Sequence, residues 1–421
     1  MASTTTVLDE LTWRGLIHQQ TEGLGQHLAA GPLTAYCGFD PTAPSLHVGN
    51  LVPAMILVHL ARAGHRTIAL VGGGTAVIGD PSGKSEERPL VSVEDVDAHA
   101  SRIHAQLGRL FEAAGTDGVQ LRNNAGWLRD VRMIDFMRDV GRHFSINYML
   151  AKDSVKSRLE TGISYTEFSY MLLQAYDFLR LHRDEGVTLQ VGGSDQWGNI
   201  TAGMELVRRA AGADAHVLTA PLLTTSSGRK FGKTESGAVW LDASLTSPFR
   251  FYQFWVNADD ADVARYLSMF TFLSQAEIAA LVSAHAAAPH ERAAQKALAR
   301  EVTAMLHGAD AARVASAVSA VIFDRKLDPR GLADDVWVTL AAEIPAVRHP
   351  GAAALSILDV LESAFGLSRS SGRTLVQQGS VTVNGTKLEA DALTVPRELA
   401  VRNRWFLVRK GGRDIALGDI G

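Results

Sequence analysis

The sequence predicts an α/β fold: a doubly wound parallel sheet, followed by an all-α domain and a small α+β domain. Three observations predict it. Short β-rich runs alternate with amphipathic helical stretches through residues 1–225, an Ala-rich helical stretch without a strand signal fills 259–342, and helices precede strands in 355–421. Alternation of the first kind places helices on both faces of a parallel sheet. Ligands bind such sheets beyond the C-terminal ends of the strands, where the strand order reverses.

Each predicted element of the first stretch has a local signal. Two amphipathic helices, 51–63 and 94–114, each end at a glycine. The second begins after Ser92, which is followed three residues later by Asp95 in the manner of a capping box. A stretch at 127–161, rich in Arg and Met, interrupts the alternation as an inserted helical segment. The predicted strands are 34–39, 67–71, 119–122, 187–191 and 216–223.

The composition is that of an ordinary globular protein. A length of 421 residues predicts two or three domains, and the single cysteine, Cys37, excludes a disulfide framework and favours a reducing compartment. No apolar run approaches the roughly 18 residues of a spanning helix. Residues 1–9 lack the basic and apolar parts of a signal peptide. We therefore expect a cytoplasmic protein without a membrane contact.

The net charge of −4 does not indicate a nucleic-acid partner, but the charge is unevenly distributed. Residues 355–421 carry nine basic side chains against seven acidic ones, and 397–413 carry six against one. A solvated edge hairpin and an RNA contact both fit this pattern. Proline and glycine residues mark 343–354 as a linker, and the dipeptide Asn384-Gly385 predicts a tight turn between Val-rich runs.

The first candidate site follows strand 34–39 and leads into the helix that begins at residue 51. The free N–H groups and partial positive charge of a helix start suit a phosphate. Thr42 and His47 add donors there, and Gly49 allows an adenine to approach the backbone. The plain alternative for His47 is a surface histidine near a helix start.

Two further stretches follow the second strand. The Gly-rich run 71–75 fits neither phosphate-loop template, so its glycines are predicted to permit close packing at a strand end. The polar loop 79–88 carries two cations, Lys84 and Arg88. They either reach a triphosphate or belong to a charged surface loop.

The helix predicted at 166–179 is apolar nearly all round and is therefore expected to be buried. Tyr170, Gln174 and Asp177 nevertheless form a polar stripe along one face, at i, i+4 and i+7. Because buried polar groups need partners, the stripe is either an internal hydrogen-bond network or one wall of a polar ligand pocket.

The strand at 187–191 runs into two glycines and an acid. Gly192 and Asp195 suit a ribose, and Gln190 points from the strand towards the same crevice. The alternative is a tight turn in which Asp195 caps the next helix.

The last candidate is the loop at 224–234, in which Lys230 and Lys233 lie three residues apart. Flexible lysines suit a phosphate group whose charge shifts during a reaction. Lysine-rich loops are also ordinary solvated loops, so the spacing alone leaves both interpretations open.

In this order, these segments resemble the bacterial-type tyrosyl-tRNA synthetases, a family of class I aminoacyl-tRNA synthetases, along essentially the whole chain. Residues 47–50 take the place of the family's His-x-Gly-His signature, with Asn50 instead of the second histidine. Residues 230–234 take the place of Lys-Met-Ser-Lys-Ser, and Thr234 retains the hydroxyl. The longest matching strings are residues 36–42, 79–83, 166–178 and 192–199.

The resemblance implies a reaction in two steps. L-Tyrosine and ATP, which carries Mg²⁺, give enzyme-bound tyrosyl-adenylate and pyrophosphate, and the tyrosyl group then passes to the 3′ end of tRNA(Tyr). The attacking carboxylate is already ionised at pH 7, so the enzyme supplies positioning and charge stabilisation rather than a general base. The residues implied in catalysis are Thr42, His47, Lys84, Arg88, Lys230, Lys233 and Thr234.

Binding roles follow from the same resemblance. Tyr36 and Asp177 are implied to hydrogen-bond the phenol of tyrosine. The other implied tyrosine-binding residues, of which the first three hold the ammonium group, are Asp80, Tyr170, Gln174 and Gln190. The implied ATP-binding residues are Gly38, Asp40, His47, Gly49, Asn50, Gly192, Asp195 and Lys233. No metal-ligating protein residue is implied.

The resemblance also implies how the chain is divided, and a homodimer with the insertion at its interface. The parts are a Rossmann-like catalytic domain at 1–235 (helical insertion about 127–161, ATP loop 230–234), an α-helical domain at 236–342, a linker at 343–354 and an S4-like RNA-binding domain at 355–421. The residues that match the S4 pattern are Ser368, Arg369, Ser370, Arg373 and the turn at 383–385. The basic hairpin implied to contact tRNA carries Arg402, Arg404, Arg409 and Lys410.

Three rival interpretations stay open at this stage. A tryptophanyl-type synthetase shares the fold and both phosphate signatures, but its indole pocket does not need the pair of Tyr36 and Asp177. A small-metabolite adenylyltransferase carries a His-x-Gly signature but has no use for a C-terminal RNA module. A non-catalytic RNA-binding protein derived from a synthetase is expected to have lost Lys230, Lys233 or His47, and all three are present.

Overall fold

The structure is a computed structural model. Tertiary contacts divide the chain into two compact units, Met1–Thr246 with Asn257–Leu298, and Ser247–Val256 with Ala299–Gly421. No helix in the part of the chain that the structure describes is long and apolar enough to cross a membrane. The described residues are 6–82, 91–116, 119–159, 162–228, 231–234, 237–325, 327–412 and 414–421, with only the backbone described for Ser154, Lys233 and Thr234.

A six-stranded sheet forms the centre of the first unit and confirms the predicted parallel α/β architecture. Its strands are β1 Gln19–Gln20, β2 Thr34–Phe39, β3 Arg66–Val71, β4 Val119–Asn123, β5 Val187–Gly193 and β6 His216–Ala220. Their order is β1-β6-β5-β2-β3-β4, and every neighbouring pair is parallel except β1 with β6. The order reverses between β2 and β5, where Tyr36 lies beside Gln190. This reversal is where a ligand site is expected.

The predicted glycine signals lie just beyond two helices of the same region, those that begin at residues 51 and 93, and the helix predicted at 166–179 extends further, to Glu185. The helices are α1 Val7–Trp13, α2 Leu24–Ala29, α3 Leu51–Arg62, α4 Val93–Ala113, α5 Ala125–Leu128, α6 Met133–Asp139, α7 Ile146–Leu150, α8 Asp153–Lys156, α9 Tyr165–Glu185 and α10 Trp197–Ala211. At the start of α4 the hydroxyl of Ser92 accepts from the Asp95 N–H at 3.1 Å, as predicted. The stretch expected as an insertion, 127–161, contains the short helices α6, α7 and α8.

Apolar packing fixes the orientation of α9. Its residue Phe178 is fully buried in a cluster with Tyr36 of β2, Ile200 of α10 and Val217 of β6. Each fully buried apolar side chain of this size stabilises the fold by about 1.5–3 kcal/mol. The polar stripe of α9 is therefore held in place by the apolar residues around it.

The chain beyond the sheet is helical as predicted: the described residues of 259–342 contain helices and no strand. A short antiparallel pair, β7 Lys233–Thr234 and β8 Gly237–Ala238, comes first. The helices are α11 Pro248–Val256, α12 Asp260–Phe270, α13 Gln275–Ala287, α14 Ala293–His307, α15 Ala309–Phe323 and α16 Asp334–Glu343. In the second unit α11 packs on α15, with the Tyr252 hydroxyl 3.3 Å from Ser316 Oγ. The contact units thus differ from the predicted division at 236–342, which remains a prediction about functional parts.

The second unit ends in a five-stranded sheet with two helices, in agreement with the predicted α+β pattern. The elements are β9 Ala346–Arg348, β10 Ala354–Ser356, α17 Ile357–Phe365, α18 Arg369–Gln377, β11 Val381–Val383, β12 Thr386–Lys387, β13 Thr394–Pro396, β14 Trp405–Lys410 and β15 Asp414–Asp419. The order in the five-stranded sheet is β12-β11-β14-β15-β9, and β10 and β13 form a separate antiparallel pair. Asn384 and Gly385 have φ angles of 50° and 80° and form the predicted tight turn between β11 and β12. The stretch 343–354, predicted as a linker, contains β9, so it is part of this sheet and more than a connection.

Candidate active site

Tyr36 and Asp177 form one end of a cluster of buried polar side chains in the first unit, the candidate ligand pocket. Both side chains are almost fully buried. Within the described residues the Tyr36 hydroxyl has no hydrogen-bond partner. Burial, followed by the charge of Asp177, raises the pKa of Tyr36 well above its usual range. The hydroxyl therefore stays protonated near Asp177, and the role of the two residues in binding a phenol remains a prediction.

The carboxylate of Asp177 is oriented by two residues that were not predicted as site residues. Asn124 Nδ2 donates to Asp177 Oδ2 and Trp127 Nε1 donates to Oδ1, both at 2.8 Å. Burial raises the pKa of Asp177 to about 7, although both hydrogen bonds favour the ionised form. A signal for Asn124 exists in the sequence, because it directly follows the end of β4, where parallel strands present ligand-binding groups.

The glycines at 72–74 pack closely at the end of β3, as predicted. A Cβ on Gly72 would overlap Asp40 Oδ1. The N–H of Gly74 donates to Asn124 Oδ1 at 2.6 Å, which fixes the amide that orients Asp177. The run is therefore a structural support of the pocket.

A second carboxylate, Asp40, lies beside Tyr170 of the polar stripe. The Tyr170 hydroxyl donates to Asp40 Oδ2 at 2.6 Å, and Thr75 Oγ1 donates to Oδ1 at 2.7 Å. Burial and the charges of Asp40 and Asp80 raise the pKa of Tyr170 well above its usual range. Tyr170 and Asp40, implied to bind different substrates, thus belong to one hydrogen-bonded group, and Thr75 is an unpredicted member.

A third carboxylate, Asp80, is buried at the end of the Gly-rich stretch. It accepts from Gln196 Nε2 at 2.6 Å, from Asn199 Nδ2 at 3.2 Å and from the Ser82 N–H at 3.0 Å. Gln196 and Asn199 stand three residues apart after β5, inside the matching string 192–199 but without an assigned role. Three carboxylates near one pocket form an environment that favours a cationic ligand group.

Two buried amide oxygens complete the pocket. Gln174 Oε1 on α9 and Gln190 Oε1 on β5 have no hydrogen-bond partner in the part of the chain that the structure describes. With the Tyr36 hydroxyl they make three such atoms, each of which costs about 1–3 kcal/mol when left unpaired in a protein interior. Buried polar atoms are normally paired, so a ligand that pairs these three would remove that cost.

The histidine segment is held by its own hydrogen bonds at the start of α3. His47 Nδ1 accepts from the Gly49 N–H at 3.1 Å, and the His47 N–H donates to Asn50 Oδ1 at 3.0 Å. Because Nδ1 accepts, the neutral ring carries its proton on Nε2. Asn50 supplies the reciprocal half of a capping box, which gives this residue a structural use.

The two predicted phosphate segments lie together. The Val48 N–H donates to Val239 O and the Val239 N–H donates to Gly232 O, both at 3.0 Å. His47 forms a bridge with Trp240, which the sequence did not indicate as a site residue. Lys84, Arg88 and Lys230 lie outside the described residues, and for Lys233 and Thr234 the backbone alone is described.

The other residues predicted to bind nucleotide lie at the C-terminal ends of β2 and β5. Gly38 is exposed, and a Cβ there would meet nothing within 4 Å, so the space above it is open. Thr42 is half-buried and its N–H donates to Asp40 O at 2.9 Å. Gly192 packs against Gln196, and Asp195 does not cap α10, which has Gln196 at that position.

The basic residues predicted to contact tRNA lie in the second unit, and most are tied within it. Arg402 pairs with Asp334, Arg404 with Asp419, and Lys410 with Asp414, while Arg409 donates to the carbonyls of Val321 and Ile322. Arg369 on α18 pairs with Asp359. Arg373 is exposed and its side chain makes no hydrogen bond or ion pair with the described residues. Among these basic residues, Arg373 of α18 therefore carries a charge that no described residue pairs.

Comparisons with known proteins show which family the chain belongs to. A sequence model described as tRNA synthetases class I (W and Y) matches residues 28–324. The chain is 52% identical over 415 residues to a tyrosine–tRNA ligase of Anaeromyxobacter dehalogenans (strain 2CP-1 / ATCC BAA-258), with 98% of each chain covered. It is 50% identical over 417 residues to that of Bacillus caldotenax, with 96% of this chain and 97% of the relative covered. A C-terminally truncated mitochondrial tyrosyl-tRNA synthetase of Aspergillus nidulans superposes with a TM-score of 0.71 and 34% identity, covering 76% of this chain and 95% of that one.

Proposed function

Because the chain belongs to the class I tRNA synthetases of the W and Y group, we propose that the pocket between Tyr36 and Asp80 is where it binds L-tyrosine. The chain is an aminoacyl-tRNA synthetase that activates tyrosine with ATP and charges tRNA(Tyr). The assignment of residues to these steps is our proposal.

The observation that carries the choice of amino acid is the unpaired hydroxyl of Tyr36 beside Asp177. A phenol both donates and accepts a hydrogen bond, so it donates to the Asp177 carboxylate and accepts from Tyr36. The indole of tryptophan only donates and would leave Tyr36 unpaired. At the other end of the pocket Asp80, Tyr170 and Gln174 hold the ammonium group.

In the first step a carboxylate oxygen of tyrosine attacks the α-phosphorus of ATP. The new P–O bond forms while the bond to the pyrophosphate oxygen breaks, and the electron pair leaves with pyrophosphate without a proton transfer. His47 donates from Nε2 and Thr42 from its hydroxyl to the phosphates. The remaining contacts to the departing charge come from Lys84, Arg88, Lys230, Lys233 and Thr234.

Nucleotide binding is proposed at the ends of β2 and β5. Gly38 leaves open space for the adenosine, Asp40 and Asp195 face its polar groups, and Gly192 permits close approach. Mg²⁺ enters bound to ATP as part of that substrate. In the described ranges no group of three His, Cys, Asp or Glu side chains is placed to hold a metal ion.

Amino-acid-dependent exchange of pyrophosphate into ATP tests this function. We expect exchange with tyrosine, little with phenylalanine and none with tryptophan. Exchange with tryptophan but not tyrosine would overturn the assignment of the pocket. An absence of exchange with both, together with retained tRNA binding, would favour a non-catalytic RNA-binding protein.

Two further assignments rest on surface chemistry. We assign residues 355–421 as an S4-like domain that meets tRNA through α18, where Ser368, Ser370 and Arg373 are exposed beside Arg369. We assign the inserted helices as a homodimer interface, because Met133 and Ile134 of α6 are 70% and 75% exposed although both are large and apolar. The single cysteine supports a reducing compartment, and we place the enzyme in the cytoplasm on that basis.

A further inference from the structure

The helix α12 presents one buried stripe to the loop that leads to Lys233. Asp262, Tyr266 and Phe270 recur every four residues, so they share one face of the helix. All three are buried. None of them has a role in the chemistry proposed above.

The polar end of the stripe holds the beginning of the loop. The Ser226 N–H donates to Asp262 Oδ2 at 2.8 Å, and Ser226 Oγ donates to Asp259 Oδ2 at 3.2 Å. Arg265 donates both to Asp262 Oδ1 at 2.9 Å and to Thr224 O at 2.8 Å. Hydrogen bonds to ionised groups are stronger than neutral ones. The backbone at 224–226 is therefore fixed to the first turns of α12.

The apolar end of the stripe holds Phe231. Its ring stacks on Phe270 with 5.4 Å between centroids and 11° between planes, and lies 5.0 Å from the ring of Tyr266. Only 8% of Phe231 is exposed. Stacked and edge-on aromatic pairs contribute about 0.5–1.5 kcal/mol beyond the area that they bury. Phe231 therefore anchors the loop that carries the two lysines to α12.

The residue after the anchor faces the histidine segment. Gly232 has a φ angle of 78°, and a Cβ there would come within 2.5 Å of Val48 Cγ2. The backbone therefore passes directly from the aromatic anchor to contact with Val48, and the next residue is Lys233, the first of β7. A displacement of Phe231 moves the backbone that carries this lysine.

We propose that Phe231 and Asp262 are positioning residues, which use α12 as a support to set where Lys233 stands relative to the phosphates of ATP. The proposal rests on the role of Lys233 in activation. The family signature has methionine at the position of Phe231, which is another side chain able to fill an apolar site. A misplacement of roughly 1 Å in a catalytic group lowers a rate by about 100-fold.

Pyrophosphate exchange with tyrosine tests the anchor in the full-length chain. We expect Phe231→Ala to lower kcat by about 10- to 100-fold while the KM for tyrosine changes less than about twofold. Phe231→Met is expected to restore most of the rate. Phe323→Ala removes a ring that is 70% exposed and is the matched control, with no expected effect. An unchanged kcat in Phe231→Ala, or a loss that follows the tyrosine KM, overturns the proposal.

A double-mutant cycle with Lys233→Ala separates positioning from general damage. If Phe231 acts through Lys233, Phe231→Ala has little further effect once the lysine is removed. If Lys233→Ala is slow and Phe231→Ala still lowers its kcat by the full factor, Phe231 does not act through Lys233. This result refutes the anchor but not the role of the lysine. A Lys233→Ala enzyme with an unchanged rate refutes the role of the lysine and the anchor with it. If Phe231→Ala does not fold, Asp262→Asn, which keeps the side-chain shape, replaces it in the double-mutant cycle with Lys233→Ala.

Discussion

At the residue scale, the pocket is defined by atoms that the protein itself leaves unpaired. The Tyr36 hydroxyl and the amide oxygens of Gln174 and Gln190 are buried without a hydrogen-bond partner among the described residues. The residues that carry these three atoms lie on β2, α9 and β5, so a ligand that pairs all three atoms contacts all three elements. The unliganded protein is destabilised by these atoms, and binding recovers that free energy.

The first prediction concerns discrimination between tyrosine and phenylalanine. Tyr36→Phe removes the donor to the substrate phenol, so the preference for tyrosine in kcat/KM is expected to fall by roughly 2- to 10-fold, the value of one hydrogen bond of about 0.5–1.5 kcal/mol. The KM for ATP is expected to stay the same. Exchange kinetics with both amino acids measure this, and an unchanged preference would show that Tyr36 does not read the phenol.

The second prediction concerns pH. Burial raises the pKa of Asp177 to about 7, so the empty pocket acquires this charge as the pH rises through that value. An ionised carboxylate accepts from the phenol, so tyrosine affinity is expected to increase with pH over the same range. For stability the sign is opposite: the contribution of Asp177 is greatest below its unfolded pKa of about 4 and is lost as the pH rises through 7.

Asn124→Ala provides the variant for this prediction. The Asn124 amide favours the ionised form of Asp177, so its removal raises the pKa of that carboxyl further. The rise in tyrosine affinity is therefore expected to move to higher pH. The KM for tyrosine between about pH 5.5 and 9 is the measurement. A move to lower pH, or a flat profile in both enzymes, would contradict the role of Asp177.

At the element scale, local signals were sufficient where an element depends on its own sequence. Ser92 caps α4 as predicted, and the predicted strands differ from β2–β6 by at most three residues at either end. The two polar residues of β1 and the three residues of β9 carry no such signal, because pairing with a distant strand creates them. The hydrogen-bond partners of Asp177 were not predicted for a related reason. Asn124 and Trp127 follow β4, and only the folded sheet places them next to α9.

The third prediction concerns the turn before α3. A Cβ on Gly49 would lie 2.8 Å from His47 Cε1, so Gly49→Ala displaces the imidazole from its cap position. We expect kcat for activation to fall by about 10-fold or more, since phosphate contacts require accurate placement, while the KM for tyrosine is retained. Gly108→Ala in α4 meets only Leu121 at 3.6 Å and is the control. Equal kinetics of the two variants would argue against a phosphate role for His47.

At the scale of the whole molecule, the fourth prediction concerns association. Ile134 of α6 is 75% exposed, and burial of such a side chain stabilises an interface by about 1.5–3 kcal/mol in each protomer. Ile134→Asp is therefore expected to raise the dimer dissociation constant by roughly 100-fold or more. Sedimentation over a range of concentrations measures it, and an unaltered dimer would place the interface elsewhere.

The fifth prediction separates the two groups of cations in the C-terminal unit. Arg373 is exposed and unpaired among the described residues, whereas Arg404 holds Asp419 through two hydrogen bonds of 2.8 and 2.9 Å. Arg373 is available to bind a phosphate directly, whereas Arg404 must first break its ion pair with Asp419. Arg373→Ala is therefore expected to weaken tRNA binding and to lower the slope of log affinity against log salt by about 1, with pyrophosphate exchange unchanged. If only Arg404→Ala changes the salt slope, the basic hairpin rather than α18 is the surface that meets tRNA.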